Sequence, residues 1–364
     1  MEADLMDDGA AIGAAELTAL TSRIFAAAGA PEDVADAVAE ELVGANLAGH
    51  DSHGVIRVTE YLAAIAAGRI APAARPRIVD ERGATAMVSG EWGFGQVSGR
   101  VAADLAADLA EAHGVAAVAL VRCNHLGRLG SWMERIAGRG CVGMMWVGGI
   151  GGPHQAVPYG GARSAYGANP LAAGFPTGAG DVVVDFATTA VAGGKVLVAH
   201  DRGEHLPPGS IVDALGKPTT DPQAFVDGGA LLPFGGHKGY ALAVLVELLG
   251  QALTGADATG DETTDGPFAR SGALLVAIDA GAFRPRAESV KRAGEIAARI
   301  RATPPAPGFD GVKLPGDPEV EARQARLGAG IRVPTKTWRG ILEAAERLGV
   351  PSEPLSENCG GHAA

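Results

Sequence analysis

Positive charge is scarce in this chain of 364 residues. Lys and Arg number 30 against 42 Asp and Glu, for a formal net charge of −12, and no run of basic residues occurs. Nucleic acid and anionic membranes select for a basic field, so neither is an expected partner. Cysteine is scarce too. Cys123, Cys141 and Cys359 are odd in number and too few for a disulfide framework, which points to a reducing compartment. No apolar run reaches the ~20 residues of a membrane-spanning helix. The most apolar helical stretch, 240–253, is interrupted by Glu247 and reads as a core helix. The opening residues, MEADLMDDGA, lack the basic and apolar regions of a signal peptide, so a cytoplasmic protein is expected.

What the chain has in excess is glycine, 54 residues, about twice the usual ~7%. Hydrophobic residues make up 47% and no short period is visible, so the excess reads as tight turns in a folded protein rather than low complexity. The length suggests about two domains at roughly 150 residues each.

Apolar spacing predicts an N-terminal helical hairpin over 16–28 and 31–47, with Gly29 as its stop and Pro31 opening the second helix. A third helix is predicted over 55–67, on which Arg57 would sit one turn beyond His53 and share its face. From 77 to 147 strands and helices alternate, with strands at 84–89, 115–121 and 141–147 and helices at 96–112 and 131–138, which reads as α/β layering. Residues 148–180 are mostly glycine, proline and small side chains with little room for regular structure, a length of loop that is usually functional. A strand at 182–184, a helix at 188–199, a strand at 273–278 and helices at 288–302 and 334–348 follow. Residues 351–364 read as a disordered tail.

Several constellations carry chemistry. Gly93-Phe94-Gly95 lies between strand and helix like a dinucleotide fingerprint, but its third glycine, Gly99, comes one position late and no acidic residue ends the next strand, so a plain glycine turn is favoured. Gly235-Gly236-His237-Lys238-Gly239 lacks the Ser/Thr of a P-loop, yet amides plus one ammonium at a helix start suit an anion. His53, in Asp51-Ser52-His53-Gly54, has Arg57 nearby to grip a carboxylate. His125, in Asn124-His125-Leu126-Gly127, follows a buried strand, and Asp185 ends the apolar run 182–184. A histidine with a carboxylate partner beside an arginine fits a general acid and a substrate anchor. The rival reading, a zinc site from His50, His53, Asp51, Cys123 and His125, matches no closed zinc spacing, and no metal is expected.

Taken in order, DSHGVIRVTEYLAAIAAGRI, GFGQ, NHLGRLGSW, YGANPLAAGFP, VDFATTAVAGGKV, LPFGGHKGYALAVLVELLGQALTGA and LPGDPE resemble the malate/L-lactate dehydrogenase family. That group also includes sulfolactate and ureidoglycolate dehydrogenases, diketogulonate reductase and cyclic 2-imino acid reductases. The resemblance implies an α/β protein with a non-Rossmann cofactor domain on a largely antiparallel sheet, a helical domain formed from both termini, and a homodimer. The implied boundaries are 1–75 and 286–350 for the helical domain and 76–285 for the cofactor domain. It further implies an NAD- or NADP-dependent oxidoreductase that interconverts a small 2-hydroxy acid and a 2-oxo acid. Carried over by motif, His125 and His53 are the catalytic histidines and Arg57 the carboxylate clamp. Asp185, Phe186, Ala187, Lys238, Gly239, Pro315, Gly316 and Asp317 are cofactor contacts, with Asp185 alternatively orienting a histidine. His125 is favoured over His53 as the acid/base. The choice between NAD and NADP, and between C=O and C=N reduction, stays open. One departure stands out: family members usually carry Asn, Thr or Ser where this chain has Gly148-Gly149-Ile150-Gly151-Gly152, so side-chain hydrogen bonds expected at the cofactor are missing.

Overall fold

A computed structural model describes residues 9–151, 155–258 and 266–351. Within these the chain forms two compact units, one made of residues up to Ala73 with those from Pro318 onward, the other of Ala74–Asp317.

The first unit is helical and built from both ends of the chain. Helices Ala14–Ala27 and Glu32–Leu47 pack on each other, burying Leu17, Leu20, Ile24 and Phe25 from one and Val34, Val38 and Leu42 from the other. Gly29 separates them at φ +98°, a conformation that costs a residue without Cβ little. The third helix is shorter than its periodicity predicts, Val58–Ala66, because two 3₁₀ turns, Asp51–His53 and Val55–Arg57, precede it. Ala11–Ile12 pairs antiparallel with Ile331–Arg332, which ties the two ends of the unit together. Helix Asp317–Ala329, unannounced by any pattern, has no buried residue and therefore no apolar stripe to read. Helix Thr335–Arg347 closes the unit on buried Ile341, Ala344 and Ala345.

The second unit is organised on a seven-stranded sheet. Its strands run in the order Arg77–Arg82, Thr85–Ser89, Val115–Val121, Gly272–Asp279, Cys141–Gly148, Leu171–Phe175, Val182–Phe186. Thr85–Ser89 pairs parallel with Val115–Val121 and the remaining neighbours pair antiparallel. The sheet is therefore largely antiparallel and mixed α/β, as expected, and not a Rossmann sheet. Helices Gly95–His113 and Leu129–Gly138 cover it, and Trp132, Met133, Ile136, Val118, Leu120 and Met145 form its core. Each such side chain contributes about 1.5–3 kcal/mol on burial. A smaller three-stranded sheet joins Ala230–Leu231, Ile211–Val212 and Pro218–Thr219.

Three expectations need correction. The stretch 148–180 is not irregular throughout, since Leu171–Phe175 is a sheet strand. Its Gly174 is required there because a Cβ would stand 2.8 Å from the Met133 carbonyl oxygen. The helix expected from 188 starts later, at Gly193–Arg202, because the Thr188 N–H is taken by Ala168 O and the Ala190 N–H by Leu232 O instead of by a helical turn. Helix Arg286–Arg301, expected with the terminal helices, groups with the sheet unit: Arg286 pairs with Asp279 at 2.9 Å, and Gly294 lies against the Thr177 carbonyl. The expected tail lies outside the described residues beyond Pro351, as do Cys359 and Gly152.

Candidate active site

In the helical unit the segment 50–57 is arranged by residues from distant parts of the chain. Asp51 receives a bidentate pair from Arg326, at 2.6 and 3.0 Å, and a third bond from the Asn46 amide at 2.6 Å. Asn46, nearly buried, also accepts the Val55 N–H at 2.8 Å, and Gly54 passes so close to it that a Cβ would overlap the Asn46 side chain. The 3₁₀ turns are thus held by Asn46 and Arg326 together, both donating to Asp51 Oδ1. His50 Nε2 lies 3.0 Å from Glu319 Oε1. Asn46, Glu319 and Arg326 carry no sequence signal, since Arg326 reaches Asp51 across 275 residues.

His53 and Arg57 do not share a helix face, contrary to the 55–67 prediction; they lie on successive 3₁₀ turns with extended Gly54 between them. Ser52 Oγ and His53 Nδ1 are 2.9 Å apart, and Arg57 Nε donates to the Ser52 carbonyl at 2.7 Å, so Ser52 links the two. Arg57 also pairs with Glu60. Its guanidinium is therefore held in one orientation by short-range bonds.

In the sheet unit His125 stands at the end of strand Val115–Val121, half-buried, its ring 5.7 Å from that of Phe268. The backbone that carries it is fixed from several directions. The Asn124 amide donates to the Trp92 and Gly93 carbonyls at 2.9 and 3.0 Å, and Trp132 Nε1 donates to Leu126 O at 3.1 Å. A Cβ on Gly95 would stand 2.1 Å from the His125 carbonyl oxygen, and one on Gly99 would meet Trp132 at 2.6 Å. The glycines that resembled a dinucleotide fingerprint therefore serve close packing under the His125 loop. Glu91, Trp92 and Arg122 all have positive φ around this turn, so strain is concentrated beside His125.

Asp185 Oδ2 accepts the Gly130 N–H at 2.7 Å, at the N-terminus of the helix that follows the His125 loop. A carboxylate in that position opposes the positive end of the helix dipole. Phe186 is exposed and meets Phe234 edge to face at 5.6 Å. Phe234 N–H donates to Thr188 O and Ala190 N–H to Leu232 O, which brings the segment after Asp185-Phe186-Ala187 against the turn before Lys238. Gly235 and Gly236 take positive φ there, at +57° and +63°, and Lys238 is exposed on the first turn of helix His237–Glu247. Gly239 is buried, its Cα backing onto the Phe234 carbonyl, where a Cβ would stand 2.0 Å away; it shapes the turn from within. Pro315 O accepts the Val183 N–H at 3.0 Å, placing 315–317 along the strand that carries Asp185. Gly316 has φ +101°, and Asp317 is bound by Arg301 at 2.9 and 2.5 Å. Arg301 holds the Asp317 carboxyl below the usual carboxylate range against the opposing effect of burial, with the Leu314 N–H adding to it.

The sheet unit therefore sets Asp185, Phe186 and Ala187 at the last residues of one strand beside the helix start that carries Lys238 and Gly239, with 315–317 against the first residues of the same strand. Their chemistry fits a nicotinamide nucleotide: positive-φ glycines and an ammonium at a helix N-terminus suit its phosphates, and an exposed aromatic ring suits a flat base. Cys123 is wholly buried and its thiol is pushed up to about 12 by that burial, so it is not poised as a metal thiolate. Among the described residues no group of three or more His, Cys, Asp or Glu is placed to hold a metal ion.

A profile of the malate/L-lactate dehydrogenase family matches residues 12–342. Hydroxycarboxylate dehydrogenase B of Escherichia coli is 36% identical over 361 residues, covering 97% of this chain and 99% of the relative. Delta(1)-pyrroline-2-carboxylate/Delta(1)-piperideine-2-carboxylate reductase of Pseudomonas syringae pv. tomato is 36% identical over 337 residues, 91% and 95% of the two chains. The solved structure of sulfolactate dehydrogenase from Methanocaldococcus jannaschii superposes with a TM-score of 0.85 at 31% identity, covering 94% of this chain and 98% of that one.

Proposed function

The chain belongs to the malate/L-lactate dehydrogenase family and is an oxidoreductase, and we propose that it interconverts a 2-hydroxy acid and a 2-oxo acid with NAD or NADP. The observation that carries the reading is the seat of His125: an imidazole on a loop pinned by Asn124, Trp132 and two steric glycines, followed by a helix whose N-terminus Asp185 caps. Pre-set geometry of that kind is what a proton-transferring residue requires.

When bound, the nicotinamide supplies or accepts the hydride at C2 of the acid. In the reducing direction charge develops on the C2 oxygen, and protonated His125 donates its proton there as the hydroxyl forms. In the oxidising direction neutral His125 takes that proton back. Arg57, already oriented by the Ser52 carbonyl, grips the substrate carboxylate, and His53, hydrogen-bonded to Ser52, contacts the substrate oxygen. Lys238 with the Gly235-Gly236 turn, Phe186 and the 315–317 loop hold the nucleotide. The Pseudomonas syringae relative supports a second reading, reduction of a cyclic 2-imino acid at the same site, in which His125 protonates nitrogen instead of oxygen.

The test is loss of reduced-nicotinamide absorbance with NADH and NADPH across a panel of 2-oxo acids and cyclic 2-imino acids. Turnover of at least one acid is expected, falling about 10²–10⁴-fold in His125→Ala while nucleotide binding persists. Folded protein silent on both panels with both nucleotides overturns the reading.

A further inference from the structure

The loop after strand Cys141–Gly148 opens with Gly148-Gly149-Ile150-Gly151, which carries no polar side chain, yet its backbone is anchored. Glu247 Oε2 accepts the Gly149 N–H at 3.2 Å and the Asn169 amide at 2.8 Å; the Asn169 amide nitrogen also donates to Ala243 O at 2.9 Å. Asn169 is fully buried and holds a positive φ, so the carboxylate closes a three-point contact among the helix, the loop and the 168–170 turn.

The geometry that aims Glu247 is unusually constrained. Helix His237–Glu247 passes directly into a π-helical turn, Leu248–Ala252, a feature frequent at functional sites. There Gly250 meets Gly148 and Gly272 backbone to backbone: a Cβ on Gly250 would stand 2.2 Å from Gly148 N, and one on Gly272 would stand 2.5 Å from Gly250 O. With no side chain between them the helical and strand backbones lie in direct contact, which brings the Glu247 carboxylate within reach of the Gly149 amide. On the other side the loop meets 266–270, where Gly151 N–H donates to Pro267 O at 2.7 Å. Gly149, Gly151, Glu247, Gln251 and Arg270 line a cavity of about 370 Å³. Phe268, in the same 266–270 segment, is the ring against His125.

We propose that Glu247 is a positioning residue that sets the 148–151 loop for the nicotinamide nucleotide beside His125, replacing from the helix the hydrogen bonds that the loop's own side chains do not make. The inference rests on the cofactor reading above. Glu247 touches neither substrate nor the reacting atoms; it acts through the backbone it holds.

Three measurements on the full chain test it: nucleotide affinity by titrating the fluorescence of NADH or NADPH, hydrogen exchange of the 148–151 amides, and thermal stability. Glu247→Ala is expected to raise the nucleotide Kd about tenfold and to speed exchange in the loop. Glu247→Gln, whose amide oxygen accepts the same two donors, is expected to stay within about threefold of wild type in both. An alanine variant that is less stable yet binds nucleotide with wild-type affinity overturns the proposal, as does a glutamine variant as impaired as alanine. Wild-type protein that binds neither nucleotide overturns the cofactor reading and the proposal with it, whereas equal binding by wild type and alanine overturns the proposal alone.

Discussion

His125 is placed by residues that have no proton to exchange. Gly95 is the sharpest case, because its Cα lies against the carbonyl of the histidine itself. Gly95→Ala leaves every titratable group intact and forces the loop to move by a substantial fraction of an ångström. Misplacement on that scale costs about 10²-fold in rate. The expected outcome is a turnover reduced to that degree, while Gly138→Ala, on a helix with nothing within 4 Å of the new Cβ, is expected to retain activity. Equal turnover in the two variants contradicts the seat described for His125. Asp51 teaches a related lesson. As a sequence feature it suggests a tautomer-fixing or metal-binding carboxylate, but its oxygens are engaged by Arg326 and Asn46, so it orders the turns that display His53 and Arg57.

At the scale of elements, the 314–317 turn is tied to helix Arg286–Arg301 by the Arg301–Asp317 pair and to strand Val182–Phe186 through Pro315 O. The Asp317 carboxyl is lowered in the folded protein, so its contribution is complete above the ordinary carboxylate value and is lost as pH falls through the lowered one. Exchange at the Leu314 and Val183 amides, corrected for the intrinsic effect of pH, is therefore expected to accelerate on acidification across that window. Asp317→Asn is expected to show the accelerated rate already at neutral pH and little further change. The secondary structure was largely legible from periodicity, as at Val115–Val121, whose apolar run and flanking glycine mark both ends. Of the elements that escaped, two show the physical reason most clearly. Leu171–Phe175 is made of small residues whose strand role comes from its neighbours in the sheet, and Asp317–Ala329 buries nothing that could set a period.

For the whole molecule, a net charge of −12 opposes both ligands of the proposed reaction, an acid and a nucleotide. At physiological salt that field is screened beyond ~8 Å, so in the proposed site local cations such as Arg57 and Lys238 would prevail at contact distance. The described residues contain no helix long and apolar enough to cross a membrane. The homodimer implied by the family resemblance is a proposal of the same scale. Light scattering of the purified chain is expected to give the mass of two chains, and a single-chain mass at assay concentrations contradicts it.

By itself the sequence determined the chemistry on offer and its order along the chain: histidines at 53 and 125, an arginine at 57, a lysine at a helix start, and glycine wherever backbone must approach backbone. These are local properties, set by residue type and spacing. The tertiary structure decided which local features act together. It made the sheet antiparallel around Gly272–Asp279, turned a nucleotide-like glycine motif into the floor beneath His125, and brought Arg326 to Asp51 and Glu247 to the Gly149 amide. Such pairings join residues about thirty to 275 positions apart, and a contact made by folding leaves no period or motif at either end.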